Sequence, residues 1–180
     1  MNEDTKKKFE PVKDEMYQLL LTAYCYNQKF TQLPDRAPSK SRGFLLEELI
    51  SLRHLANGII LHLCNLDDEN SKWSLRGLYK DLARSKDGQQ HSAEKATKLL
   101  KEFRANLNRF KTKHRNAFIA HRNSEDHPNP FDLPDYRIEL KELIGEAVLV
   151  FEALWGSEVS FGFDLGSLDP SLEFKKELGL

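Results

Sequence analysis

The apolar positions recur at spacings of three and four residues over most of the chain, the period of amphipathic α-helices. This pattern predicts a first helix with Pro11 in its first turn and an end at Leu33-Pro34. It predicts a second helix over 44–66, whose apolar positions cover more than one face. Gly58 in that helix indicates a close approach of a neighbouring helix, and the Pro- and Ser-rich segment 34–43 predicts a loop.

The second half of the chain predicts one short and two long helices. The short helix covers 73–84. Ser92 is expected to cap a long helix that ends between 123 and 126, because three prolines follow within HPNPFDLP. The last helix is expected over 135–155, with Gly156 as its end. We therefore expect an all-α fold, an antiparallel bundle of four long helices plus one short helix.

The pattern divides the chain into a helical bundle over 1–156 and an acidic C-terminal tail over 157–180. From Glu139 onward nine acidic residues stand against three lysines, about −6 by simple counting. Apolar residues alternate in the tail from Val159 to Leu165, but this run is too short for a sheet, so we expect none there. We expect the tail to dock on its own bundle; alternatively, it covers the basic helix as an RNA mimic.

Charge and composition narrow the function classes. The net charge of −1 argues against a protein that coats nucleic acid through bulk electrostatics. Between residues 101 and 123, however, the sequence contains seven Lys or Arg residues and one Glu, a local excess of positive charge of about +6. There is no apolar run long enough for a membrane span and no signal peptide, so we expect a cytoplasmic protein without a membrane partner.

The basic stretch leads into HRNAFIAHRN, residues 114–123, in which His-Arg-Asn occurs twice, seven residues apart. His114 and His121 continue an apolar seam of Ala96, Leu100, Phe103, Leu107 and Phe110. Two histidines so spaced lie roughly 10 Å apart along a helix, too far to share one metal ion. We expect no metal and no cofactor.

Two interpretations of this segment follow from the residues alone. The histidines can be core residues satisfied by one hydrogen bond, with the basic residues favoured by the helix dipole. Alternatively, Arg can bind phosphate and His can move a proton near neutral pH. These two groups suffice to cleave RNA without a metal, since the 2′-hydroxyl supplies the nucleophile.

The stretch Arg115-Asn116-Ala117-Phe118-Ile119-Ala120-His121 resembles the motif of the HEPN superfamily, an Arg, commonly followed by a polar residue, and a His after four to six residues. RNAFIAHRN is similar in particular to the AbiU-type branch, which is associated with abortive infection against phage. A second patch, residues 61–67 followed by 73–78, also resembles this branch. The resemblance covers roughly residues 10–155.

This resemblance implies a metal-independent endoribonuclease that leaves a 2′,3′-cyclic phosphate and acts as a homodimer, as a toxin or anti-phage effector with a possible cognate antitoxin. Arg115 would stabilise the phosphate or position the 2′-hydroxyl, Asn116 would orient the Arg or contact the sugar, and His121 would transfer the proton. The expected RNA contacts are His114, Arg122, Asn123, Lys113 and Arg109.

Alternatives remain open for the register of the motif, for the role of His114 and for the function. Arg122, Asn123 and His127 form a second match to the same loose pattern, but His127 precedes Pro128 in an expected loop, so Arg115 and His121 are preferred. His114 is either a second polar group in the cleft or a structural histidine. The alternative function is a catalytically inactive helical dimer that binds RNA or a protein partner. The third hypothesis is a structural bundle whose polar seam only sets the register of the dimer.

Overall fold

The structure is a computed structural model that describes the backbone of residues 3–84, 90–118, 137–165 and 168–180. Side chains are described for 7–84, 95–112, 137–164 and 171–180.

Helices dominate the described chain, which confirms the predicted all-α class. The long helices are α1 (Glu3–Arg36), α2 (Arg42–Asp67), α4 (Gln90–Phe118) and α5 (Arg137–Trp155), and the short α3 (Leu75–Arg84) lies between α2 and α4. A 3-10 helix over Ala37–Ser39 joins α1 to α2. No helix in these ranges is both long and apolar enough to cross a membrane.

Neighbouring helices run antiparallel. Lys29 of α1 donates to Glu48 of α2 at 2.7 Å, while the earlier Glu15 lies 3.0 Å from His62, later on α2. A Cβ on Gly58 would lie 3.4 Å from Thr22 Cγ2, so the predicted close approach is confirmed and the neighbour is α1. Helices α4 and α5 are also antiparallel to each other.

The core follows the apolar seams. Phe103 and Leu107 of α4 are fully buried, and Phe9, Met16 and Phe151 join them from α1 and α5. The predicted seam of α4 is therefore confirmed over Ala96, Leu100, Phe103, Leu107 and Phe110, all of which are buried.

The predicted helix ends need correction at three places. Pro11 lies inside α1 rather than in its first turn, because Phe9, Val12 and Met16 are fully buried and hold the helix on the core despite one missing N–H. The helix also continues past Pro34 to Arg36, so part of the expected loop is helical. Helix α4 begins at Gln90, before Ser92, a shift of the size by which helix ends commonly fray.

The other described ends lie within two residues of their predicted positions: α2 covers Arg42–Asp67 instead of 44–66, and α3 begins at Leu75 instead of residue 73. Gly156 directly follows α5 with a φ of 90°, the left-handed conformation that ends a helix. The predicted end of α4 at 123–126 lies outside the described residues.

The tail forms a small sheet, so the prediction of no sheet was wrong. Strands β1 (Gly162–Leu165) and β2 (Leu168–Glu173) pair antiparallel, with Gly162 opposite Glu173, and α6 (Phe174–Leu178) follows. So short a hairpin is held by tertiary packing rather than by its own pattern. The Glu173 carboxylate also accepts a hydrogen bond from the Phe161 N–H at 3.1 Å.

The tail packs into the bundle core. Phe161 and Phe174 are both buried. The ring centroid of Phe161 lies 6.0 Å from that of Phe151 of α5, and the ring centroid of Phe174 lies 5.5 Å from that of Tyr17 of α1. The buried Lys175 donates to Glu152 of α5 at 2.7 Å and to Glu158 at 3.1 Å. The described ring contacts of the tail are thus with α1 and α5 rather than with the basic helix α4.

Candidate functional site

The motif residues fall at the edge of the described chain. His114, Arg115 and Asn116 lie on the backbone of α4, as does Lys113, but their side chains are outside the described residues. His121, Arg122, Asn123 and the rival His127 lie outside the described residues altogether. The site is therefore built from α4 up to residue 112 and from the elements packed against it.

Helix α4 carries one face on which basic residues recur. At about 100° per residue, the positions of Lys101, Arg104, Lys111 and Arg115 fall within roughly 80° of one another. We call these four positions the basic face of α4. It lies about a quarter turn from the buried seam, at whose next position His114 stands. The helix therefore presents positive charge in line with the motif arginine.

Arg109 does not share this face. Its position lies about 120° round the helix from that of Arg115, and its exposed side chain lines a cleft of about 290 Å³ between α4 and α5. Glu139, Glu142 and Glu146 line the α5 side of this cleft. By position, Lys113 also lies on the Arg109 side of α4.

Glu146 is the most enclosed acid of this cleft. Asn106 donates to its Oε1 at 2.6 Å, and its Oε2 is buried with no hydrogen-bond partner among the described residues. Burial raises the pKa of Glu146, with the neighbouring Glu102 and Glu142 acting in the same direction and the Asn106 bond and Arg109 against it. The cleft between α4 and α5 is thus mainly acidic, in contrast to the basic face of α4.

The loop between α2 and α3 forms a packed corner. We call residues 67–74 the α2–α3 corner. Ser74 caps α3, since its Oγ accepts from the Gly77 N–H at 3.0 Å and donates to the Ser71 carbonyl at 3.0 Å. A Cβ on Gly77 would lie 2.5 Å from that carbonyl oxygen and 2.8 Å from the oxygen of Lys72. A side chain at this position would therefore force the backbone of the corner to shift.

The corner places a buried acid against the basic face of α4. Asp67 is 6% exposed, and its Oδ2 lies 3.5 Å from Lys111 Nζ. Its Oδ1 has no hydrogen-bond partner among the described residues. Burial raises the pKa of Asp67 above 3.8, while the Lys111 and Arg104 charges oppose that rise. Burial also raises the pKa of the neighbouring Cys64 thiol.

A second acid of the corner bridges two helices. Glu69 Oε2 accepts from Arg104 of α4 at 3.1 Å and from Arg76 of α3 at 2.5 Å. Lys80 donates to the Glu69 carbonyl at 3.1 Å. The end of α2 and the start of α3 therefore contact α4 at Arg104 and Lys111, about three turns and one turn before Arg115.

Sequence reasoning gave no role to Asp67, Glu69 or Lys111. The sequence signal that could have indicated Asp67 is its position, because it is an acid that directly follows the last apolar residue of α2, the buried Leu66. Among the described residues, no group of three His, Cys, Asp or Glu side chains is arranged to hold a metal ion. The chain matches no protein-family model, no curated protein and no solved structure.

Proposed function

We propose that the chain is a metal-independent endoribonuclease of the HEPN type. The observation that carries the proposal is the sequence Arg115-Asn116-Ala117-Phe118-Ile119-Ala120-His121, whose first four residues lie in the last described turn of α4 in a predominantly helical protein. The basic face of α4 supports it, because Lys101, Arg104 and Lys111 stand in line with Arg115 and would attract an RNA backbone.

The proposed reaction needs one proton shuttle and one cation. His121 accepts the proton of a ribose 2′-hydroxyl, whose oxygen then attacks the adjacent phosphorus, or donates a proton to the departing 5′-oxygen. The P–O5′ bond breaks, and the products are a 2′,3′-cyclic phosphate and a 5′-hydroxyl. Arg115 stabilises the charge on the phosphate oxygens with its planar pair of donors, and Asn116 orients it or contacts the sugar.

Helix geometry supports a homodimer. If the helical period of α4 is extended to His121, the six residues from Arg115 would give about 9 Å along the axis and roughly 120° around it, so one helix would present the two side chains poorly to a single phosphate. Two symmetric copies that cross near the motif would combine Arg and His from both chains in one cleft. His114, Arg122 and Asn123 are proposed RNA contacts on either side of it.

The proposed substrate is single-stranded RNA, because an unpaired ribose can rotate its 2′-hydroxyl into line with the leaving group. A role as a toxin or abortive-infection effector in the cytoplasm, held in check by a cognate antitoxin, follows from the resemblance. It forms part of the proposal.

The test is cleavage of structured RNA in EDTA by the purified protein, with the ends identified as cyclic phosphates. We expect cleavage by the native chain and loss of cleavage in His121→Ala and in Arg115→Ala. His54→Ala is the matched control, because His54 is an exposed histidine on α2. The oligomeric state is measured in the same samples by light scattering.

Other outcomes assign other functions. Loss of cleavage in His127→Ala but not in His121→Ala would move the site to the second register. RNA binding without cleavage would make the chain an inactive RNA-binding module. A dimer indifferent to RNA, with variants that are only less stable, would contradict both nucleic-acid functions.

A further inference from the structure

A pocket of about 210 Å³ lies between α3 and α4, beside the α2–α3 corner and distant along α4 from the motif. We call it the α3–α4 pocket. Two elements supply its walls, so it exists only once α3 has packed on α4. The side chains that carry its charge and polarity are Arg76, Tyr79, Lys80, Thr97, Lys101 and Arg104.

The pocket carries a clear excess of positive charge. Arg76, Lys80, Lys101 and Arg104 contribute four cations, and the Glu69 carboxylate forms salt bridges with the two arginines. Each arginine gives one Nη1 to Glu69. Because a guanidinium has five N–H donors, both arginines keep donors for an anion. The pocket therefore suits a phosphate.

The rest of the lining is not charged, and we call Tyr79 and Leu100 the floor of the pocket. The buried Leu100 and the ring of Tyr79 line it. Thr97 donates to the Tyr79 hydroxyl at 2.8 Å and holds it in place. An aromatic ring next to cations is the combination on which unpaired bases of single-stranded nucleic acid stack. A nucleotide would use both surfaces, with its base on the apolar residues and its phosphate on the cations, whereas a bare inorganic anion would use only the cations.

The pocket is continuous with the basic face of α4. Lys101 and Arg104 belong to both, and the same face continues to Lys111 and Arg115. Eleven residues separate Arg104 from Arg115, about 16 Å along the helix. A single strand cleaved at Arg115 would therefore reach the pocket a few nucleotides away.

We propose that the α3–α4 pocket binds one nucleotide unit of a single-stranded RNA, with the base on Tyr79 and Leu100 and a phosphate on Lys101 and the two arginines. This inference rests on the proposed function for its ligand, since RNA is the substrate proposed for the chain. The shared chemistry is a nucleoside phosphate, and a free mononucleotide is the other source of it.

The test is direct binding of a fluorescein-labelled 2′-O-methyl RNA decamer, which cannot be cleaved at the ribose, measured by fluorescence anisotropy. We expect Tyr79→Leu to weaken binding by about tenfold, the order of loss when a base loses its aromatic partner. Lys101→Gln should weaken binding and lower the salt dependence of log K by about 0.7. Lys98→Gln is the matched control, because Lys98 is an exposed lysine of the same helix that does not line the pocket.

Lys101→Gln also guards against a folding artefact, since Lys101 is exposed and its replacement leaves the core intact. Decamer binding equal to that of the native chain in both Tyr79→Leu and Lys101→Gln would overturn the inference. Adenosine monophosphate bound as tightly as the decamer would overturn it as well, in favour of a free nucleotide. The cleavage assay stands apart: inactivity with intact pocket-dependent binding would contradict the nuclease and leave this site standing.

Discussion

Lys111 Nζ lies 3.5 Å from Oδ2 of Asp67, and this pair joins the end of α2 to the helix that carries the Arg115 motif. Asp67 is almost fully buried, whereas Lys111 keeps a third of its side chain exposed. The contact ties the basic face of α4 to the α2–α3 corner one turn before Arg115.

Asp67→Asn tests the buried acid through the pH dependence of stability. The pKa of Asp67 is raised in the folded chain above its unfolded value of 3.8, so the native state holds the proton more tightly. The native chain should therefore gain stability relative to Asp67→Asn as the pH falls from 7 toward 4. Urea unfolding at several pH values measures this difference. A stability difference between the native chain and Asp67→Asn that stays constant with pH would contradict the prediction.

Gly77→Ala tests the close packing of the corner. The added Cβ would meet the Ser71 carbonyl oxygen at 2.5 Å, a contact that forces backbone to move. We expect a loss of about 1–3 kcal/mol in the free energy of unfolding, typical of overpacking. Gly43→Ala is the control, because its Cβ would lie 3.8 Å from Ser41 Oγ and alanine favours a helix. Equal stability of the two variants would show that the corner adapts freely.

Lys175→Met tests the ion pairs that tie the tail to α5. Burial alone would lower the pKa of Lys175, but the hydrogen bonds to Glu152 and Glu158 outweigh it and raise the pKa above 10.5. The cation therefore contributes stability that is fully present at neutral pH and is lost as the pH rises through the folded value. We expect a loss of about 2 kcal/mol at pH 7, the scale of hydrogen bonds to charged groups.

Denaturant unfolding measures the Lys175→Met effect. The difference from the native chain should shrink above pH 10.5, where the lysine loses its charge. Lys176→Met changes the exposed neighbour and should cost far less. A cost that persists unchanged at high pH would point to packing of the aliphatic stem instead of the ion pairs.

Arg115→Lys tests the proposed role of the motif arginine. Lysine keeps the charge but loses the planar pair of donors, so we expect the cleavage rate to fall by about a hundredfold with little change in RNA affinity. Single-turnover cleavage and anisotropy measure the two quantities separately. Arg84→Lys, at an exposed site on α3, should leave both unchanged. Full activity in Arg115→Lys would mean that a point charge is sufficient.

Much of the bundle was predictable from sequence because helix signals are local. The three-and-four spacing of buried residues placed the seam of α4 from Ala96 to Phe110, and Gly156 ended α5 as its conformation requires. The helix ends were less secure. Pro11 and Pro34 normally mark helix boundaries, but burial of Phe9, Val12 and Met16 outweighs the lost backbone hydrogen bond within α1.

By itself, the sequence determined the helical period and the basic segment that leads to Arg115. Only the tertiary structure decided which acids meet that segment, because Asp67 and Lys111 lie 44 residues apart and no local pattern encodes their contact. The same holds for the tail. Its hairpin is too short to be stable alone, and it forms because Phe161 and Phe174 find a place in the core and Lys175 finds its carboxylates on and just beyond α5.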